Sequence, residues 1–162
     1  MLNKIFRKKS IELKAHATGK FVNLEDISDP VFSQKMMGEG MAIEPLEGEI
    51  VSPVEGEIVQ TFSTKHAIGI KAKNGAEILI HIGLETVSLK GEGFSTYVEQ
   101  GQKVEAGDLL VTVNLDFLKE KEIDIVTPLV VTNIDTMDTI DVDGSFTDIT
   151  KSVDTTLTVV AK

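Results

Sequence analysis

Apolar and polar residues alternate over short stretches of this chain, and glycine interrupts them every few positions. Runs rich in Val, Ile and Thr between turn-forming residues read as strands. They fall at 48–52, 56–61, 67–72, 76–82, 109–114, 129–132 and 155–159. Helical spacing is scarce. Residues 116–122 read as a short helix with Asn114 as its cap, and 30–37 as one or two turns. This pattern predicts an all-β chain, an antiparallel β-sandwich or barrel-sandwich hybrid with very short helices. No linker-like stretch divides it. The expected organisation is a basic, flexible arm over 1–10 and a single β domain over 11–162.

One turn is sharply signalled. Asn74-Gly75 lies between two apolar segments, and Asn-Gly is the strongest short hairpin signal. A two-residue turn pairs Lys73 with Ala76, Ile70 with Leu79 and Ile68 with His81. Strand side chains alternate, so His66 shares a face with Ile68 and becomes a diagonal neighbour of His81. Such neighbours stand about 7–8 Å apart, within reach of two imidazoles. Thr64 continues the same face. A register slipped by one residue would put the two histidines on opposite faces.

Composition narrows the setting. A chain of 162 residues, 41% hydrophobic, suits one domain with one core. No run approaches the ~20 apolar residues of a membrane span. The basic N-terminus has no apolar stretch behind it, so no signal peptide is expected. The chain has no cysteine. That excludes disulfides, thiolate metal sites and cysteine nucleophiles, and fits the cytoplasm. The net charge is −10, and residues 1–20 hold six basic residues against Glu12, so the acidity lies in the body. Such a body argues against nucleic acid and suits a basic protein partner. The basic tip could touch an anionic membrane through Leu2, Ile5 and Phe6.

Two of the three histidines thus converge on one patch, and two imidazoles in contact cannot easily both be charged. Zinc is one reading, but it wants three or four protein ligands. Glu77 faces Ala72 further up the sheet, and His16 is remote in sequence. Nucleophilic chemistry at an imidazole nitrogen is the other reading. A phosphoramidate formed there is high in energy and suits onward transfer. His66 and Thr64 could donate hydrogen bonds to the transferring group. Ile68, Ile70 and Leu79 would form a collar that limits water.

The run Gly75-Ala-Glu-Ile-Leu-Ile-His81-Ile-Gly-Leu-Glu-Thr-Val87 resembles the phosphohistidine signature of glucose-class enzyme IIA domains of the sugar phosphotransferase system. Leu89-Lys-Gly-Glu-Gly-Phe94 extends it. Thr64-Lys-His66-Ala67, Asp29-Pro-Val-Phe-Ser-Gln-Lys-Met-Met-Gly-Glu-Gly40 and Asn133-Ile-Asp135 resemble further segments of that family. The matches run from about 11 to 142 at consistent spacing.

The resemblance implies an antiparallel β-sandwich phosphoryl carrier that needs no cofactor. It implies that His81 accepts a phosphoryl group from phospho-HPr and passes it to the IIB domain of a sugar permease, expected on another chain. It casts His66 as the stabiliser of that group and Thr64 as the hydrogen-bonding partner of His66. It implies an apolar docking ring of Val31, Phe32, Met36, Met37, Phe62, Ile68 and Leu79, with Asp29, Glu85 and Asp135 as acids around the site. It also leaves room for regulatory protein targets and a regulatory zinc ion at His66 and His81. Two rivals fail on residues. Biotinyl and lipoyl carriers display a lysine at a hairpin tip, which Lys35-Met-Met imitates poorly. Zinc peptidases of a related fold need His-x-His, and His81 is followed by Ile82-Gly83.

Overall fold

A computed structural model describes residues 9–162. The expected N-terminal arm and its membrane contact lie outside the described residues, apart from Lys9 and Ser10. Among the described residues fourteen strands run in order: β1 (Ser10–Lys14), β2 (Gly19–Val22), β3 (Glu39–Pro45), β4 (Glu49–Val51), β5 (Gly56–Thr61), β6 (Ala67–Ala72) and β7 (Glu77–His81); then β8 (Phe94–Thr96), β9 (Lys103–Val104), β10 (Leu109–Val113), β11 (Thr127–Val131), β12 (Met137–Val142), β13 (Asp148–Ile149) and β14 (Thr155–Ala161). Two short helices, Pro30–Ser33 and Leu115–Glu120, complete the frame with a few 3-10 turns. Asp29 caps the first, its carboxylate accepting from Val31 N. Asn114 caps the second, as its sequence suggests, accepting from Phe117 N. No helix among the described residues is long and apolar enough to cross a membrane.

The strands pair antiparallel in three sheets. The largest has the order β13-β2-β3-β11-β7-β6-β5-β9. Two three-stranded sheets, β4-β10-β8 and β1-β14-β12, complete the sandwich. Alternation along β7 turns Ile78 and Ile80 into the main core and Leu79 and His81 to the other face. There a second apolar cluster forms. Leu24, Ile27 and Phe32 pack over Ala42 and Val130, with Leu79 against them. The central strand β11 is therefore covered on both sides and buried at all five residues. This is why the site has a stiff floor.

The Asn74-Gly75 hairpin forms where expected, but in a different register. Ala67 pairs with His81, Ile68 with Ile80 and Ile70 with Ile78. The loop has three residues rather than two. Gly75 N donates to Ala72 O, and Gly75 alone of the loop takes a positive φ, +91°. A type I turn closed by a left-handed glycine adds one residue to a two-residue turn. The Asn74 side chain reinforces it, accepting from Ala76 N and donating to Lys9 O. That one-residue slip moves Ile68 and Ile70 to the core face. Both are buried there, Ile68 at 1% exposure. Neither belongs to a collar or a docking ring around His81. Glu77 likewise pairs with Lys71, not Ala72.

His16 is fully buried and donates from Nε2 to Thr127 O at 2.9 Å, while its Nδ1 has no partner. Burial holds its pKa near 4 against an ordinary 6.5, with the Thr127 carbonyl pulling weakly the other way. The folded state therefore binds this proton less readily than the unfolded chain. Stability linked to His16 is complete above pH 6.5 and is lost as pH falls from 6.5 to 4. The full loss is about 3 kcal/mol. Urea unfolding at pH 7.5 and pH 5 should show the decline, and His16→Gln should flatten it. An unchanged slope in that variant would remove His16 from the account.

Candidate active site

The site forms where β7 ends and β6 begins. His81 is the last residue of β7, and His66 sits at the bend just before β6. With the register slipped, a regular strand would turn His66 away from His81. The bend prevents this. Lys65, at φ +58°, breaks the strand just before His66. The two rings meet edge to face, centroids 5.0 Å apart and planes at 77°. The histidines thus come together by a route that the hairpin argument does not contain.

Each ring is held at Nδ1. His81 Nδ1 lies 2.7 Å from Gly83 O. A carbonyl only accepts, so this nitrogen carries the proton and the neutral ring has its lone pair at Nε2. His66 Nδ1 lies 2.6 Å from Thr64 Oγ1. With the hydroxyl donating, His66 carries its proton at Nε2 instead. Aromatic walls back both rings: Phe32 lies 5.3 Å from His81 and Phe62 5.3 Å from His66, centroid to centroid.

The electrostatics favour neutral imidazoles. Burial lowers the pKa of His66, and the neighbouring His81 lowers it further. Burial also lowers that of His81, while the Gly83 carbonyl and the charge of Asp29 oppose it. The result is an unprotonated Nε2 near neutral pH, in surroundings that still tolerate some positive charge on the ring.

The turn after His81 is tightly built. Gly83 has φ +73°, and a Cβ there would stand 2.7 Å from Thr86 Cγ2 and 3.1 Å from Asp124 O. Only glycine fits. Leu84 N donates to Asp124 O and so pins the turn to the segment before β11.

Around the histidines the expected docking residues divide. Val31, Met36 and Met37 are exposed, Met36 at 69%. Lys35, bound to Glu25 and Glu39 at 3.0 and 2.9 Å, anchors the loop that presents them. Phe62 and Leu79 are half-buried. Phe32 is only 4% exposed, so it is a wall for His81 rather than open surface. Asp29 and Glu85 belong to the segments beside His81. Asp135 does not. It is exposed on the 3-10 turn Ile134–Thr136, beyond the Glu77 end of β7, where Thr132 N donates to Glu77 O. Its neighbour Ile134 lines a depression with Lys35 and Glu39. Val87, 53% exposed on the 3-10 turn Thr86–Leu89, is an apolar surface residue the sequence reading passed over. Its only signal was an apolar residue standing between Thr86 and Ser88. Among the described residues no group of three or more His, Cys, Asp or Glu is placed to hold a metal ion.

Residues 11–137 match the family model described as phosphoenolpyruvate-dependent sugar phosphotransferase system, EIIA 1. The PTS system glucose-specific EIIA component of Bacillus cereus is 57% identical over 126 residues, 78% of this chain and 76% of that one. The protein of the same name from Halalkalibacterium halodurans is 54% identical over 121 residues, 75% and 70% of the two chains. The solved structure of glucose permease IIA from Mycoplasma capricolum superposes with a TM-score of 0.85 at 39% identity, covering 93% of this chain and 96% of that one.

Proposed function

Since the chain belongs to the EIIA 1 family of the phosphoenolpyruvate-dependent sugar phosphotransferase system, we propose that it is a glucose-class phosphoryl carrier working through Nε2 of His81. The observation that carries this reading is the hydrogen bond from His81 Nδ1 to Gly83 O, which leaves Nε2 as the free nucleophile.

Phospho-HPr is the donor. The Nε2 lone pair of His81 forms the new N–P bond as the donor's P–N bond breaks, and that electron pair returns to the donor ring. The His81 ring gains positive charge and keeps its Nδ1 proton. The Gly83 carbonyl and Asp29 are the groups that favour that charge. His66, neutral and oriented by Thr64, donates from Nε2 to the phosphoryl oxygens. A IIB domain of a sugar permease then takes the group, and the bonding pair returns to His81. No cofactor enters the exchange.

Docking falls to the exposed apolar residues Val31, Met36, Met37 and Val87, with Phe62 and Leu79 behind them. HPr would be met by Asp29 and Glu85 near the reacting ring and by Asp135 further out. Such charges act mainly on the association rate and weaken with salt. The carrier operates in the cytoplasm as a single β domain over 11–162. Other proteins, with or without a zinc ion between His66 and His81, could read the unphosphorylated face.

The test is phosphorylation from phosphoenolpyruvate through enzyme I and HPr. An acid-labile, base-stable phosphoryl group should appear on the chain. A folded protein that takes no label would end the carrier reading.

A further inference from the structure

We propose that Thr86 is a positioning residue that sets the tautomer of His81 and couples it to His66. The proposal rests on the carrier reading above for its kinetic consequence, but not for its structural one. Thr86 is wholly buried, a polar side chain without contact to solvent. Its Oγ1 donates to Ile82 O at 2.6 Å. The other end of the same residue is also held, because Ile82 N donates to His66 O at 2.7 Å. Ile82 is therefore tied through its N–H to one histidine and follows the other directly in the chain.

The methyl group of Thr86 packs on Gly83, where an added Cβ would stand 2.7 Å from it. The hydroxyl, through Ile82 O, holds the Ile82–Gly83 backbone so that Gly83 O meets His81 Nδ1 at 2.7 Å. Without the hydroxyl, the carbonyl of a residue 1% exposed loses its partner. A buried unpaired carbonyl is costly, so the turn shifts to find another donor. The Gly83 carbonyl shifts with it. His81 then loses the acceptor that keeps its proton at Nδ1, and the ring divides between its two tautomers. Only one of them offers Nε2 as a nucleophile.

The variants separate the two parts of the side chain. Thr86→Val removes the hydroxyl and keeps the shape, while Thr86→Ser keeps the hydroxyl. The full chain, with ring-15N histidine, is titrated from about pH 5.5 to 8.5 and its long-range proton–nitrogen spectra recorded. Wild type and Thr86→Ser should show His81 protonated at Nδ1 alone. Thr86→Val should show a mixture, with phosphoryl acceptance slowed about tenfold to a hundredfold. If Thr86→Val does not fold, Thr86→Ala, which also lacks the donor, is measured in its place. A single Nδ1–H tautomer in the folded Val or Ala variant, with wild-type titration, would overturn the proposal. The spectra need no donor protein. A tautomer mixture in Thr86→Val beside an unlabelled wild type would sustain this inference and refute the carrier function.

Discussion

His81→Ala is expected to take no phosphoryl group at all from phospho-HPr. The described structure leaves no substitute. His66 is buried, and with the Thr64 hydroxyl donating to its Nδ1 the proton sits on Nε2, the nitrogen that would have to attack. His16 is sealed in the core. Labelling should fall to background while the far-ultraviolet circular dichroism stays that of a β protein. Label retained on folded His81→Ala, at any rate near wild type, would place the acceptor elsewhere and dissolve the mechanism.

His66→Gln should divide the two half-reactions. Acceptance needs the free lone pair at Nε2 of His81, and Gly83 secures that without His66. Onward transfer asks more of His66. Charge on the phosphoryl oxygens must be held while the N–P bond lengthens, and a donor already aimed there lowers the barrier. A glutamine amide can donate, but it does not inherit the ring packing on Phe62 or the Thr64 bond to Nδ1. Acceptance should stay within a few-fold of wild type, with transfer to IIB slower by about a hundredfold or more. Single-turnover measurement of each step decides it. Wild-type rates in both steps would deprive His66 of its assigned part.

How far the sequence could be read depended on where burial is one-sided. Strands β5 and β6 lie at the expected residues because turn residues bracket them closely. β3 escaped notice for a physical reason. Glu39–Pro45 packs Met41 and Ile43 into one cluster and Ala42 into the other, so it has no alternation to see. β12 escaped for the opposite reason, since its Asp and Thr positions face solvent. The Asn74-Gly75 turn shows a deeper limit. The same dipeptide serves a two-residue turn and a three-residue turn with a left-handed glycine, and the choice flips every side chain on the strand. Ile68 was misplaced by that flip. His66 was placed beside His81 although the register behind the argument was wrong, because the bend at Lys65 and His66 offsets the slip. The family was legible where several segments agreed. Thr86 and Val87 stood in the quoted motif without a role, since a buried hydroxyl and an exposed apolar side chain declare themselves only in three dimensions.

The double burial of β11 separates two timescales. Backbone amides at Thr127 and Leu129–Val131, and in the adjoining β7, should exchange with deuterium only when the whole domain unfolds. The segment bearing Val31, Met36 and Met37 has no such cover. Its anchor is a solvent-facing lysine between two glutamates, which contributes little against local opening. Exchange there should proceed by local opening. On the function proposed above, a carrier so divided can remodel its rim for partners of different shape while the reacting nitrogen stays in register with its floor.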